Sequence, residues 1–530
     1  MILDKDLLSI QEARNLAAKA KEAQFEYEHF SQQQVDQIIK AMAEAGYEAS
    51  EKLAKMACDE SGFGIYEDKI IKNQFSTKNV YESIKNLKTV GIIAEGAEGK
   101  VLKIAAPMGV VCALVPSTNP TSTAMFKALI SLKSRNGMVA SPHPKTAKCT
   151  AEALKTLSDA AEKAGAPKGL IQCMSEPTIE GTDALMHDKN IAVILATGST
   201  PMVKAAYSAG KPAFGVGSGN VPAFIERSAN YHKAVADIIY GTTFDNGTLC
   251  SSEQSMIVDL PLKEKVIEET KLQGCYFVNA EEKEKLAKAV QNNLRINPDI
   301  VGKPASFIAN YAGFSVPEDT KVLMANCFNV GRNEPLSIEK LSPILSFYIV
   351  DGWLEGCHRC IDLLKFGGIG HTMVIHSNDE PIIMKFALEK PAFRILVNTP
   401  ASVGAVGYTT ALDPSMTLGP GTWGGSIVSD NVTAKHLLNV KSLAFETNPV
   451  NEGKAVIKFE TQKYKGSKDW FLKEIEERLR ERAGNLPLKD KYTYHEKIIS
   501  SEEVPKQTKS VTFGSGITEE EIQKIIEEFK

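Results

Sequence analysis

The chain has 530 residues, too many for one simple core, and this length predicts two or three domains. Hydrophobic residues make up 43% and charged residues 24%, as in globular proteins, and a formal net charge of −4 argues against nucleic-acid binding. No apolar run reaches the roughly 20 residues of a membrane helix, so we expect no membrane partner. The charged, amphipathic N-terminus lacks a signal-peptide apolar block, which predicts a cytoplasmic protein.

The predicted elements change in character along the chain. The first 90 residues carry apolar side chains at helical spacing, as at Val35, Ile38 and Met42, and predict several helices. From about residue 108, short apolar runs alternate with helical segments, which predicts buried parallel strands joined by helices. The predicted strands are residues 108–116, 137–142, 191–197, 255–259, 348–351 and 372–376. This alternation predicts a doubly wound parallel α/β sheet, repeated before and after residue 250.

The cysteines and the C-terminal region contribute fewer indications. Nine cysteines are scattered without paired spacing, which is typical of reduced thiols. The CHRC segment at residues 357–360 has CxxC spacing, but no second ligand pair lies nearby in the sequence, so we predict helix packing and no metal site. The densely charged residues 463–482 and the helical pattern at 519–530 predict a solvated or partner-facing extension.

One segment favours a reactive cysteine, residues 244–254 with the sequence FDNGTLCSSEQ. Cys250 follows an Asn-Gly turn and precedes small polar residues, whereas structural cysteines usually lie among large apolar neighbours. The pattern predicts that Cys250 opens a helix, whose N-terminal dipole would stabilise a thiolate. An ordinary buried cysteine is the alternative that the local sequence leaves open.

The FDNGTLCSSEQ segment resembles the nucleophile region of the aldehyde dehydrogenase superfamily, specifically that of its CoA-acylating branch. Similar segments follow in order between about residues 90 and 440: STNPTST at 117–123, SPHP at 141–144, ATGST at 196–200, EKLSP at 339–343, GGIGHT at 367–372, PSMTLG at 414–419 and WGG at 423–425. The resemblance implies two doubly wound α/β domains with the active site in the cleft between them. The expected divisions are a nicotinamide-dinucleotide-binding domain at 1–240, a catalytic domain at 241–425, and a C-terminal segment at 426–530 with an oligomerisation strand and a charged extension.

Oxidation of an aldehyde through a cysteine requires a thiolate, an oxyanion site, a hydride acceptor and a group that removes the acyl chain. The resemblance assigns the nucleophile to Cys250 and the side-chain donor of the oxyanion site to Asn119. An ordinary turn residue is the alternative for Asn119, since it precedes a proline. For His371 we expect assistance to the CoA thiol or a place in its channel, with a buried structural histidine as the alternative.

The resemblance also implies a nicotinamide cofactor, NAD with NADP as the alternative, and coenzyme A as co-substrate. The GVGSG segment at 215–219 does not precede a predicted helix and is rejected as a dinucleotide fingerprint. At the turn of residues 198–200, a helix predicted to begin near Pro201 directs N–H groups at the pyrophosphate. Glu339 matches the glutamate that binds the nicotinamide ribose, with a solvated carboxylate at a helix start as the alternative. Ser141 stands where the hydrolytic branch has a lysine. The expected cofactor-binding residues are Ser117, Thr118, Ser141, Pro142, His143, Gly198, Ser199, Thr200, Gly217 and Glu339.

Val216 is the residue that separates the branches of the superfamily. Hydrolytic members activate water with a glutamate at the matching position, and a valine cannot abstract a proton. The thioester is then expected to pass to CoA, which predicts a CoA-acylating aldehyde dehydrogenase. The alternatives are hydrolytic oxidation to the free acid, reduction of an acyl phosphate, and a catalytically silent structural relative.

The expected substrate is acetaldehyde or a small polar relative, with sulfoacetaldehyde as the alternative. Residues 397–407 and 415–419 resemble the acetaldehyde and sulfoacetaldehyde members of the branch. Hydroxyl groups that could line a small polar pocket are those of Tyr408, Thr409, Thr410 and Thr422. We also expect a homo-oligomer, either a dimer or a tetramer.

Overall fold

The computed structural model describes residues 4–292, 295–448 and 450, which form sixteen α-helices and seventeen β-strands. The helices are α1 (Lys5–Tyr27), α2 (Gln32–Glu48), α3 (Ser50–Ser61), α4 (Tyr66–Gln74), α5 (Val80–Ile84), α6 (Pro120–Lys133), α7 (Ala147–Lys163), α8 (Ile179–His187), α9 (Thr200–Ser208), α10 (Tyr231–Thr243), α11 (Lys263–Leu272), α12 (Ala280–Val290), α13 (Ala305–Ala312), α14 (Trp353–Phe366), α15 (Glu380–Leu388) and α16 (Ala401–Ala405). The strands are β1 (Gly91–Gly96), β2 (Val101–Pro107), β3 (Val110–Val115), β4 (Gly137–Pro142), β5 (Ile171–Cys173), β6 (Ile191–Thr197), β7 (Ala213–Val216), β8 (Val221–Ile225), β9 (Glu253–Asp259), β10 (Cys275–Phe277), β11 (Gln291–Asn292), β12 (Arg295–Ile296), β13 (Val322–Asn326), β14 (Ile344–Val350), β15 (Gly370–His376), β16 (Ala392–Val397) and β17 (Leu438–Ala444). The charged stretches at 463–482 and 519–530 lie outside the described residues.

The predicted N-terminal helices are confirmed as α1 to α5. Helix α2 begins with a capping box, in which the Ser31 hydroxyl accepts from the Gln34 N–H and the Gln34 side chain accepts from the Ser31 N–H. The apolar face of α2, from Val35 to Met42, is buried against α6 and α7. The helical spacing seen in the sequence therefore corresponds to a helix face that contacts the first α/β layer.

A five-stranded parallel sheet has the strand order β5-β4-β3-β6-β7. Helices cover both of its faces. Val111 and Ala113 of β3 pack with α2, α6 and α7, whereas Cys112 and Leu114 pack with α1, α8 and α9. Because β3 and β6 are neighbours, the chain changes direction across the sheet between them, and the loops at their carboxyl ends diverge to leave a crevice.

A seven-stranded parallel sheet has the order β10-β13-β14-β9-β8-β15-β16. Its central strand β9 is buried along its whole length and begins three residues after Cys250. The two doubly wound sheets confirm the predicted α/β fold class. Strand β8 belongs to this second sheet although it precedes residue 241, and the domain boundaries at 240/241 and 425/426 stay predictions.

Three smaller features complete the fold. The antiparallel sheet β1-β2-β17 leaves most of β17 exposed, and β17 lies in the segment for which oligomerisation is predicted. Cys357 and Cys360 are buried on α14, which confirms the helix-packing interpretation of the CxxC spacing. Among the described residues, no helix combines the length and the apolar character that crossing a bilayer requires.

Candidate active site

A cleft of about 590 Å³ opens at the carboxyl ends of β3, β4, β6 and β7. Its lining includes every site residue predicted from the sequence except Thr200 and His371. The Thr200 hydroxyl lies 3.4 Å from that of Ser218, which lines the cleft, and His371 contacts Cys250 from behind the cleft wall. The structure therefore brings together residues that are more than 200 positions apart in the sequence, at the type of switch point where α/β sheets bind ligands.

Cys250 lies in a turn between α10 and β9, so the prediction that it opens a helix is wrong. The preceding residues Asp245, Asn246 and Gly247 have φ angles of 49°, 52° and 71°. Asp, Asn and Gly are the residue types that adopt this left-handed conformation most readily. The chain then passes within three residues into the buried parallel strand β9, which leaves no room for a helix. The thiolate consequently gains no stabilisation from a helix dipole at its own position.

The Cys250 thiol is protonated at neutral pH. Burial raises its pKa to about 12; the neighbouring Glu339 raises it further, and Arg394 opposes the shift. Burial also raises the pKa of Glu339 to about 8, so that carboxyl group is mostly neutral at pH 7 and its repulsion of a thiolate is weakened. The half-buried thiol therefore needs a neighbouring base before it can act as a nucleophile.

His371 is placed to be that base, because its Nε2 lies 3.3 Å from Cys250 Sγ. Burial, with a smaller effect from Arg394, lowers the pKa of His371 to about 3, and the imidazole is neutral. Its Nδ1 lies 3.0 Å from Thr372 Oγ1, which also accepts from Arg394 Nε at 3.3 Å. This arrangement suits the tautomer with the proton on Nδ1 and an acceptor nitrogen toward the thiol.

The residues after Cys250 attach its loop to the surrounding segments. The Ser251 hydroxyl donates to the Ser402 carbonyl at 2.9 Å, and Glu253 Oε1 accepts from the Ala401 N–H at 2.5 Å. Gln254 Oε1 accepts from the Lys340 N–H at 2.8 Å. Residues 251–254 therefore hold the start of α16 and the segment that carries Glu339 against the nucleophile loop, which we define as residues 244–252.

Glu339 closes one side of the cleft and accepts from the Gly219 N–H at 2.7 Å. Gly219 must be a glycine, because a Cβ there would overlap the carbonyl oxygen of Cys250. Glu339 is the one carboxylate among the described residues that line the cleft. Its bond to Gly219 occupies one of the oxygens that a general base would need.

Asn119 stands at the N-cap of α6, with its side chain mostly buried. Its Nδ2 donates to Thr118 Oγ1 at 3.1 Å and to the carbonyl of Thr248, two residues before Cys250, at 3.3 Å. Its Oδ1 accepts from Lys72 Nζ at 2.6 Å. The donor side of the amide thus faces the nucleophile loop, as an oxyanion site requires.

The opposite end of the cleft has the properties of a dinucleotide site. The Ser141 and Thr182 hydroxyls form a pair at 2.7 Å, and His143 and Lys145 are exposed at the rim. Helix α9 has Ser199 at its N-cap, which confirms the helix predicted near Pro201. Its first N–H groups can bind a pyrophosphate, and the paired hydroxyls can bind a ribose, so these residues fit a nicotinamide dinucleotide.

Several side chains of the site were not predicted from the sequence. Lys69 and Lys72 lie on α4, ahead of the region that carries the family motifs, and their three-residue spacing is their only signal. Arg394 is buried on β16 and donates to the Gly419 carbonyl at 2.7 Å. Asp245 stands within the FDNG motif, but its role becomes visible only from its contacts with both lysines.

The sequence profile of the Aldehyde dehydrogenase family matches residues 6–275, and the chain belongs to this family. An acetylating aldehyde dehydrogenase of Geobacillus thermoglucosidasius is 51% identical with a TM-score of 0.84, over 85% of this chain and 100% of that one. A propionaldehyde dehydrogenase of Rhodopseudomonas palustris, solved with bound CoA and an acylated cysteine, is 27% identical with a TM-score of 0.75, over 82% and 97% of the two chains. The resemblance inferred from the motifs is confirmed.

The bifunctional aldehyde-alcohol dehydrogenase AdhE of Escherichia coli (strain K12) is 44% identical over 441 residues. The match covers 82% of this chain and 50% of AdhE. The chain thus spans about half the length of this curated relative.

We expect His371→Ala to slow alkylation of Cys250 by iodoacetamide about a hundredfold or more at pH 7, because the buried thiol loses its neutral base. In this variant the rate should rise about tenfold per pH unit, since the raised thiol pKa leaves thiolate to appear only as the pH increases. Labelling of Cys250 is measured by peptide mass spectrometry, with Cys250→Ala as the background. An unchanged labelling rate in a folded His371→Ala variant would contradict the assignment.

Proposed function

We propose that the protein is a CoA-acylating aldehyde dehydrogenase, which converts a small aldehyde, CoA and NAD(P)+ to acyl-CoA, NAD(P)H and a proton. The observation that carries the proposal is the Cys250–His371 pair, with a nitrogen-to-sulfur distance of 3.3 Å, beside a cleft in which Val216 stands at the place of a water-activating carboxylate. The similarity to a structure named as an acetylating aldehyde dehydrogenase supports it.

In the first half-reaction His371 Nε2 takes the thiol proton and Cys250 Sγ attacks the aldehyde carbon. The negative charge on the aldehyde oxygen is stabilised by Asn119 Nδ2 and by the backbone N–H of Cys250. The nicotinamide cofactor supplies the acceptor for the hydride that leaves the former aldehyde carbon. Cys250 is left carrying the acyl group as a thioester, in a cleft whose lining includes Glu339 and Val216.

In the second half-reaction the thiol of CoA attacks the thioester carbonyl and the Cys250 thiolate leaves. His371 is placed to act as the base in this step, because its Nε2 contacts Cys250 Sγ. Before this step His371 releases to solvent the proton that it took from Cys250. The proton of the CoA thiol then passes to His371 and on to the departing Cys250 thiolate. Val216 is buried at the end of β7 and cannot activate water, so the acyl group persists until CoA arrives.

We propose acetaldehyde as the substrate. The four residues whose hydroxyl groups were expected to form a polar pocket are not among the described residues that line the cleft: Tyr408, Thr409, Thr410 and Thr422. Thr409 pairs with Thr399 at 2.6 Å and Thr410 donates to the Gly404 carbonyl. Among the described residues, these four hydroxyl groups therefore give no support for an anionic aldehyde such as sulfoacetaldehyde over acetaldehyde.

We further propose that residues 1–240 and 241–425 act as the cofactor-binding and catalytic domains, and that the protein forms a homo-oligomer in the cytoplasm. NAD is the proposed cofactor, with NADP as the alternative. Ser141, His143, Gly198 and Ser199 line the part of the cleft proposed to hold it.

With acetaldehyde and NAD but without CoA, the protein should release NADH in one burst equivalent to the concentration of Cys250 and then stop. Addition of CoA should restart turnover, because the thioester has no other efficient acceptor. NADH absorbance and acetyl-CoA are measured together. Cys250→Ala should give neither the burst nor turnover, and steady acetate release without CoA would refute the acylating function.

Replacement of Val216 by glutamate should raise CoA-independent acid release and lower the fraction of acyl groups that reach CoA, because water and CoA compete for one thioester. The new carboxyl group would be buried, which raises its pKa, so the effect should grow as the pH rises above neutrality. The ratio of acetate to acetyl-CoA is the measurement. Val216→Gln is the control, since it has similar size but cannot act as a base.

Replacement of Lys145 by glutamine should raise the KM for NADP+ about fivefold while changing that for NAD+ much less, because a 2′-phosphate at the cleft rim would lose a cation. Lys148→Gln is the matched control: it is also exposed but does not line the cleft. Equal KM changes for the two cofactors in Lys145→Gln would place the adenosine end of the cofactor elsewhere.

A further inference from the structure

Lys72 is a buried cation next to the proposed oxyanion residue. Its ammonium group donates to Asn119 Oδ1 at 2.6 Å, to Thr248 Oγ1 at 3.3 Å and to the Asp245 carboxylate. These three acceptors account for all three hydrogens of the ammonium group. Lys72 comes from α4 and is 4% exposed, so solvent does not replace any of these partners.

Contacts on both sides of the Asn119 amide determine which way it points, and Lys72 holds its oxygen side. An ammonium group can only donate, so the amide atom that faces Lys72 must be the oxygen. The Asn119 NH₂ group then faces the other way, toward the Thr248 carbonyl and the nucleophile loop. The last torsion of an asparagine side chain has a broad, two-fold profile, and without Lys72 the orientation is held only by the bonds of the NH₂ group to Thr118 Oγ1 and to the Thr248 carbonyl.

We propose that Lys72, held by Asp245, is a positioning residue that fixes the Asn119 amide with its NH₂ group toward the aldehyde oxygen. This inference rests on the proposed role of Asn119 in the oxyanion site. An amide turned the other way would direct its oxygen, a partial negative charge, at the oxygen on which negative charge develops.

The charged groups around Lys72 favour its ammonium form. Burial and Lys69 lower its pKa, Asp245 and Asp68 raise it, and the result is a pKa of about 8. Lys72 is therefore mostly protonated at neutral pH. Asp245 holds it in place while also accepting from the Thr248 hydroxyl and the Ile65 N–H, both at 2.6 Å.

Lys69 provides a matched control within the same cluster. Its ammonium group contacts the same Asp245 oxygen at 2.9 Å and the Thr118 carbonyl at 3.4 Å, and neither of these bonds involves Asn119. Lys69→Met and Lys72→Met each remove one cation from Asp245, but only Lys72→Met removes the hydrogen bond to Asn119 Oδ1.

The test measures acetyl-CoA formation at saturating CoA and NAD for Lys72→Met, Lys69→Met, Asn119→Ala and the double variant Lys72→Met/Asn119→Ala. We expect Lys72→Met to lower kcat about ten- to a hundredfold with little change in the KM for acetaldehyde, because a misdirected donor weakens the transition state and not substrate binding. Lys69→Met should have a much smaller effect. In the Asn119→Ala background, Lys72→Met should cause no further loss, because the group through which it acts is already absent.

Thermal unfolding of every variant separates loss of fold from loss of orientation. If Lys72→Met does not fold, Lys72→Gln replaces it in the same cycle, since glutamine is polar and uncharged and is not restricted to donating. Equal losses from Lys72→Met in the presence and absence of Asn119 would overturn the positioning role alone. A wild-type kcat in Asn119→Ala would overturn the oxyanion assignment itself, and the inference with it.

Discussion

The nucleophile loop depends on one buried carboxylate, that of Asp245. Three consecutive residues of the FDNG turn have positive φ, a conformation that persists only when surrounding contacts hold it. Asp245 supplies those contacts, because it is fully buried and binds Lys69 and Lys72 of α4 together with backbone and hydroxyl donors. A buried charge is tolerated only when it is paired. The FDNG turn therefore needs the two lysines of α4, and these buried lysines need the Asp245 carboxylate of the turn. The N-terminal helices are in this way part of the active site.

Burial acts in opposite directions on the two reacting groups. It raises the pKa of the Cys250 thiol and lowers that of the His371 imidazole, so the resting pair is neutral and no ion pair has to be kept away from water. In the proposed reaction, charge appears only when the thiol proton moves to His371 and the thiolate attacks the aldehyde. The positive charge of Arg394 favours the Cys250 thiolate. The Arg394 guanidinium donates to the carbonyl oxygens of Ser429 and Gly419, and no carboxylate among the described residues forms an ion pair with it. The site is thus arranged for the charge distribution of the reaction and not for that of the resting enzyme.

Features that depend on a local sequence pattern, such as the buried strands, could be predicted from the sequence. Strands such as β4 and β6 appear as short apolar runs, and because parallel strands end at the same edge, the residues after them meet in one cleft. The prediction of a helix at Cys250 was wrong because small polar residues suit both a helix start and a turn. Only the tertiary hydrogen bonds of Glu253 and Gln254 decide between the two. Lys72 could not be predicted, since its partner Asp245 is 173 positions away and no local pattern encodes that contact.

In the proposed reaction, the lifetime of the thioester depends on the protonation state of Glu339, the one carboxyl group among the described residues that line the cleft. Glu339 lines the cleft, but its raised pKa of about 8 keeps it mostly protonated at neutral pH, and one of its oxygens accepts from the Gly219 N–H. A protonated, hydrogen-bonded carboxyl group is a poor base for water. In the proposed mechanism, burial makes the Cys250 thiol dependent on His371 and also keeps the Glu339 carboxyl group protonated, so one physical cause protects the acyl group from hydrolysis. A thiol nucleophile, which needs less activation than water because its own pKa is lower, is then the acceptor that the site favours.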